Sequence, residues 1–423
     1  MSLDRSKAPS FNIPEEIDFS SPIQRTLSNG VPLYFIPTPE LDAIKIEINT
    51  DALRGDLGQR KKLVSYFTLH MLLEGTKTKD ASTLDDFFDY YASEVEIISN
   101  FEHNGLSLLT TKKHLYKVLP VFRELMTEAV FPDKELAKRK SQKALSISIQ
   151  REQNSNRASQ LFRKQLFGDQ HPFGQIADEE DVEQVTSEDL KSFYSNKLWI
   201  NPEIFLTGNL NGKEIDFIAQ ELGNLPVITG NPILEEFINQ EKERVWEKRE
   251  KSVQSSIRLG CHLIPKNHPD YHALSVFNTF LGGYFGSRLI KNIREEKGHT
   301  YGIYSSIGSL RSADYWIVAA DVIKEHAEEV ISEIYKEIKK LQEEPIPAEE
   351  LEVVRNYMIG SLLSNFSSSF ELINRFKSIH HAGLDLDFYK ERLAFIRSFD
   401  EAHIRTVGAK YIQAGNLVEV IVG

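Results

Sequence analysis

The sequence predicts two α+β domains of similar build, joined end to end. One observation is a period. Phe131-Pro132-Asp133-Lys134-Glu135-Leu136 has a counterpart in Ile346-Pro347-Ala348-Glu349-Glu350-Leu351, and Ile204-Phe205-Leu206-Thr207-Gly208 in Glu419-Val420-Ile421-Val422-Gly423, both at an offset of 215 residues. A third pair, Thr186 to Lys191 with Phe399 to Ile404, matches after a small indel. A repeat of that length is too long for a solenoid and marks a duplicated domain. The other observation is a change of pattern within the first half, where alternating strand-like runs give way to helical ones.

In chain order, residues 1–22 read as an extended, Pro- and Ser-rich arm. Asn29-Gly30 between two strand-like runs signals a hairpin. Residues 31–36 and 44–49 are strands, the second half-buried by its alternation. Helices are expected at 59–74 and at 83–93, the latter opened by Ser82-Thr83. Paired strands follow at 95–100 and 106–111, then helices at 114–129, 133–152 and 157–167. Ser187 caps a helix through Tyr194, and residues 202–208 close the first domain, taken as 23–211. Residues 212–250 read as a connector, with Asn231-Pro232 and the charged run Glu241 to Glu250, which could itself begin the second sheet. The second domain is 251–423. Its helix 324–343 places Val330, Ile331, Ile334, Ile338 and Leu341 on one stripe, a core face.

Composition narrows the function. The chain has 423 residues, 41% hydrophobic and 26% charged, with a formal net charge of −12. No long Lys/Arg run exists, and the cluster Lys134 to Lys143 alternates with apolar residues as a solvated helix face does, so no nucleic-acid partner is expected. No apolar run approaches the ~20 residues of a membrane span. Cys261 is the single cysteine, which suits a reducing compartment. The N-terminus shows no apolar leader. The expected location is cytoplasmic, or periplasmic had a leader been removed.

Metal-ligand spacing is sparse. There is no H-E-x-x-H and no cysteine pair, and His380-His381 would face different sides of a helix. The order strand, strand, helix, followed by Phe67-Thr68-Leu69-His70-Met71-Leu72-Leu73-Glu74-Gly75-Thr76, nevertheless resembles the first domain of the insulinase/pitrilysin and mitochondrial-processing-peptidase superfamily, the H-x-x-E-H zinc peptidases. In active members two histidines on one helix face bind zinc, the glutamate between them is the general base, and a distal glutamate completes the set. Here Tyr66 stands at the first histidine position and Leu69 at the base position, His70 is retained, and the distal position falls near Ile147. The resemblance therefore implies no metal ligand set and no cofactor in this chain.

The second half keeps another part of the pattern. Leu281-Gly282-Gly283-Tyr284-Phe285-Gly286-Ser287-Arg288-Leu289 and Ile293-Arg294-Glu295-Glu296-Lys297-Gly298-His299-Thr300-Tyr301 are similar to the family's C-domain signature, whose Arg and Tyr reach the zinc site of a facing domain. These are Arg294 and Tyr301. On spacing alone, Arg294 could complement a helix dipole or pair with Glu295 or Glu296, and Tyr301 could pack on a sheet.

The resemblance spans about residues 23–423. It implies a mitochondrial-processing-peptidase-like fold: two homologous domains, each a mainly antiparallel sheet with helices on one face. It further implies a non-catalytic subunit of a heterodimeric zinc metallopeptidase, with Arg294 and Tyr301 binding peptide substrate and stabilising the oxyanion at a zinc site carried by a partner of the same family. Two other readings stay open: a catalytically silent peptide-binding homodimer, and a self-sufficient zinc peptidase using His70 with Glu152. Residues 95–101 lie where active members have a substrate-pairing edge strand; without zinc beside them, ordinary sheet is expected.

Overall fold

The computed structural model describes residues 21–52, 61–230, 244–311, 313–366 and 368–423. Residues 1–20 of the expected arm, 59–60 of the first expected helix, and 231–243 of the expected connector, with Asn231-Pro232, lie outside the described residues.

The first half runs β1 (Ile23–Thr26), β2 (Pro32–Pro37), β3 (Ala43–Asp51), α1 (Val64–Met71), α2 (Ala81–Tyr90), β4 (Glu94–Ser99), β5 (His103–Thr111), α3 (Leu115–Thr127), α4 (Asp133–Glu152), α5 (Asn154–Phe167), α6 (Glu179–Glu183), α7 (Ser187–Asn196), β6 (Glu203–Gly208) and α8 (Gly212–Leu222). The second runs β7 (Val245–Glu247), β8 (Gln254–His262), α9 (Tyr271–Gly282), a π-helix (Ile290–Glu296), β9 (Thr300–Gly308), β10 (Tyr315–Ile323), α10 (Ala327–Glu343), α11 (Ala348–Ser364), α12 (Ser369–His380), α13 (Asp387–Ser398), α14 (Glu401–Tyr411) and β11 (Val418–Val422).

Local signals account for many of these boundaries. Gly30 adopts φ +85° in the hairpin between β1 and β2, where the Leu27 amide donates to Val31. The cap of α2 is the Asp80 carboxylate, not Ser82-Thr83, and that of α7 is Thr186, one residue before Ser187. Thr186 with Asp189 and Asp400 with His403 form capping boxes at equivalent positions of the two halves. Each satisfies amides that a helix start leaves unpaired. Gly212–Leu222, within the stretch expected to connect the domains, is a helix capped by Asn211, and its Ile218, Ala219 and Leu222 join the first core.

Sheet topology displays the duplication. The first sheet has order β1-β2-β6-β3-β5-β4 and the second β7-β11-β8-β10-β9. In both, one parallel pair (β2 with β6, β7 with β11) is followed by antiparallel pairs only. The strands matched by sequence, β6 and β11, hold the same place. The open edges are likewise equivalent: β4 in the first sheet and β9 in the second.

Each sheet packs one face against helices of its own half. Ile44, Ile46, Leu106 and Leu108 meet α1, α3 and α7; Ile257, Leu259, Val318 and Ala320 meet α9, α10 and α14. The opposite faces are covered by exchange. Ala158, Phe162, Leu166 and Phe167 of α5 pack on Val418, Val420 and Val422 of the second sheet. Ile373 and Phe376 of α12 pack on Tyr34, Ile36 and Phe205 of the first. The exchange is pinned by Arg258, which donates to Ser159 Oγ at 3.0 Å and to the Ser155 carbonyl at 3.1 Å. It is pinned again by the ion pair of Lys377 with Glu47.

Candidate functional site: the Arg294–Tyr301 junction and the filled zinc position

The junction begins where α9 ends. Gly282 lies so close to β9 that a Cβ there would sit 2.6 Å from the Ser305 amide nitrogen, which explains a glycine at that point. The following turn leads into the π-helix, a rare form found mostly as single turns and often at functional sites. It closes at Gly298, φ +68°, where the His299 amide donates to the Ile293 carbonyl at 3.0 Å. β9 starts two residues later and packs against the π-helix.

The two arginines of this signature have different fates. Arg288 is held by Glu350 through two hydrogen bonds, 2.9 Å from Nε and 2.8 Å from Nη2. Arg294 has no carboxylate partner among the described residues, and its guanidinium carbon lies 4.8 Å from the centroid of Phe285, itself exposed. Glu295 and Glu296 are exposed beside it without pairing to it. Tyr301 does not pack on the sheet: it is 91% exposed. The register of β9 against β10 shifts between Ala320 and Val322, next to where Tyr301 enters. Such bulges re-aim side chains. The site thus offers a permanently charged fork on the π-helix and a phenol hydroxyl on the adjoining edge strand β9, each a donor able to meet a peptide carbonyl or carboxylate.

The corresponding zinc position in the first half lies on α1, against α4. Tyr66 and His70 share a helix face with ring centroids 4.1 Å apart. Lys143 Nζ sits 3.9 Å from the Tyr66 ring centre. Leu69 at the base position is fully buried, and Ile147 is buried at the distal position. Glu74 is bound to Arg139. These donors do not fit zinc: a single imidazole stands among two cations and apolar side chains, and a carboxylate set is missing. Glu152 is exposed at the end of α4, and neither it nor His70 belongs to any cluster of three ligand-type side chains among the described residues. No hydrogen bond, ion pair or ring contact among the described residues joins Arg294 or Tyr301 to Tyr66 or His70.

Burial, with Arg139 and Lys143 nearby, pushes the His70 imidazole down to about 4. An unfolded histidine titrates near 6.5. Between those values the folded chain binds fewer protons than the unfolded one, so stability from neutral His70 is present above about pH 6.5 and is lost as pH falls toward 4. Urea melts between pH 7.5 and 4 are therefore expected to show a smaller acid loss in His70→Gln than in the parent. An identical pH slope in both chains would contradict the assignment.

Sequence reasoning missed one cluster. His380 and His381 do not diverge. His380 ends α12 and His381 caps it, so both reach across the interface between halves to Glu203 at the start of β6. His380 Nε2 lies 2.7 Å from one carboxylate oxygen and His381 Nε2 3.0 Å from the other. Adjacent histidines followed by Gly383, a helix-end signal, were the hint available in the sequence.

With this geometry described, comparison with known proteins gives one family. Residues 60–176 match the family model described as "Insulinase (Peptidase family M16)", and residues 184–358 match "Peptidase M16 inactive domain". The chain is 23% identical over 317 residues to the uncharacterized zinc protease YmxG of Bacillus subtilis, covering 74% of this chain and 76% of that protein. It is 21% identical to the non-peptidase homolog YmxG of Helicobacter pylori, covering 87% and 86% respectively. Its fold is similar to the crystal structure of a peptidase M16 inactive domain from Pseudomonas fluorescens, with TM-score 0.84 and 22% identity over 95% of this chain and 98% of that one. Both the frame of the first half and the signature of the second are accounted for: the chain belongs to peptidase family M16, the insulinase family.

Proposed function

We propose that this chain is the non-catalytic subunit of a heterodimeric zinc metallopeptidase. Arg294 and Tyr301 are its contribution to a zinc site held by a partner chain of the same family. One observation carries the reading. Within a single signature Arg288 is locked to Glu350, whereas Arg294 has no anionic partner among the described residues and Tyr301 projects into solvent. A structural arginine would be paired as Arg288 is.

The filled position on α1 supports the same reading, as does the "non-peptidase" description of the Helicobacter pylori relative. Peptide hydrolysis builds negative charge on the scissile carbonyl oxygen, and fixed donors aimed at it lower the barrier. The zinc in the partner would supply the Lewis acid and the activated water. Here Arg294 and Tyr301 would hold the peptide carbonyl and orient it. The open edge of β9, where Tyr301 lies, gives an extended substrate backbone a strand to pair with.

The test is reconstitution. The purified chain is mixed with a zinc-bearing M16 chain from the same source, and hydrolysis of a quenched fluorescent peptide is followed. The mixture is expected to exceed the partner alone, and Tyr301→Phe to remove about 10² of that rate. A mixture no faster than the partner alone would overturn the proposal. Stable self-association with peptide capture and no cleavage by any mixture would instead establish a silent peptide-binding homodimer.

A further inference from the structure

The cluster at Glu203 has properties that the peptidase reading does not use. Its three side chains come from both halves: Glu203 from β6 of the first sheet, His380 and His381 from the end of α12. Their ligand atoms all lie within 4.8 Å of one another. Tyr34 packs on His380 at 4.7 Å between ring centroids, and Phe376 stacks on it at 5.3 Å, so one wall is apolar. On the other side His103, 8% exposed at the start of β5, lies 4.1 Å from the His381 ring. The site opens into a cleft of about 490 Å³ lined by Asp51, Asn201, Arg311 and Gly383 among others.

We infer that Glu203, His380 and His381 form a binding site for a divalent transition metal at the junction of the two halves, separate from the family's zinc position on α1. Two imidazoles and one carboxylate, with a fourth position facing a solvent-filled cleft, are a donor set suited to zinc. Imidazole-rich sets of this kind also accept copper, nickel and cobalt rather than magnesium or calcium. Zinc ligands stand ~2.0–2.2 Å from the ion. In a tetrahedral arrangement that places neighbouring donor atoms about 3.3 Å apart. The nitrogen-to-oxygen gaps, now 2.7 and 3.0 Å to different oxygens of Glu203, widen toward that spacing, and the ring nitrogens, within 4.8 Å of each other, settle to it. The ion takes the place of the Nε2 proton each imidazole now shares with the carboxylate; in a neutral ring that proton is re-bound at Nδ1, which frees the Nε2 lone pair for the metal.

The neighbouring cations are already paired, Arg311 with Asp51 at 2.9 Å and Lys377 with Glu47. The other three-residue cluster, His299 with His326 and Glu329, differs here. Lys297 Nζ lies 2.9 Å from the Glu329 carboxylate and already occupies the place of a cation.

The position gives the ion a structural consequence. A metal bound by β6 and the end of α12 fastens the crossing helix of the second half to the sheet of the first. Binding only to the folded chain, it raises stability by mass action.

The experiment uses the full chain alone, stripped with chelator and titrated with Zn²⁺ by calorimetry and with Co²⁺ by visible absorption. One equivalent is expected, with a higher melting midpoint in zinc. Substitution of residues that only support a ligand typically weakens metal affinity 10–100-fold. His381→Asn and Glu203→Gln, which remove ligands, are therefore expected to weaken it by more than about 100-fold. His70→Asn and His299→Asn are expected to leave it unchanged. Metal-free melts of each variant check that the fold survives. Absence of stoichiometric binding, or binding lost in His70→Asn or His299→Asn but kept in His381→Asn, would overturn the assignment. Neither result touches Arg294 and Tyr301, whose role is read from reconstituted hydrolysis.

Discussion

With the zinc-bearing partner proposed above, Arg294→Ala is expected to lower kcat for peptide hydrolysis by about 10²–10³, the range for loss of one oxyanion donor. The same substitution is expected to change the stability of the isolated chain by no more than about 1 kcal/mol, the size of an exposed cation–π contact such as that with Phe285. The contrast with Arg288 sharpens the measurement. Arg288→Ala breaks a half-buried bidentate pair with Glu350, and is expected to lower the melting temperature of the isolated chain. A parallel fall in kcat and kcat/KM for Arg294→Ala points to an interaction made only in the transition state; a rise in KM alone points to substrate holding. If Arg294→Ala hydrolyses peptide as fast as the parent when mixed with the partner, the donor role is wrong.

The second large effect is on stability. Phe162 belongs to α5 of the first half yet is 1% exposed within the core of the second sheet. Its ring edge comes so near Gly260 that a Cβ there would sit 3.0 Å from it. Phe162→Ala leaves a cavity that the surrounding strands cannot close and is expected to cost about 3–5 kcal/mol. Tyr90→Ala, 82% exposed on α2, is the control and should fall within about 0.5 kcal/mol. Denaturant unfolding of both variants decides the matter. A loss below 1 kcal/mol in Phe162→Ala would show that α5 does not carry the outer face of the second sheet.

Elements with local signals were legible in the sequence. The Asn29-Gly30 hairpin, the helix at 133–152 and the matched strands β6 and β11 all occur where spacing and turn chemistry place them. What sequence did not reveal was long-range. The amphipathic pattern of α5 shows that it buries one face but not against which sheet. The same holds at Glu203. Helical periodicity sets successive side chains about 100° apart, so His380 and His381 look divergent until a single carboxylate is seen to offer one oxygen to each. Only the crossing of α12 over the first sheet brings a glutamate 177 positions away to both rings.

The exchange of α5 and α12 also has a consequence for the order of synthesis. A ribosome emits the first half first. At that moment the apolar face of α5 has no sheet to cover, and Tyr34, Ile36 and Phe205 have no helix over them. The first-sheet surface stays bare until residues near 376 emerge, and the α5 face until Val418–Val422 follow. Domains generally fold as units during translation, and exposed apolar surface on a waiting intermediate invites aggregation. This chain cannot finish its first domain before most of its second exists. The nascent first half is therefore the stage at which a chaperone has most to shield.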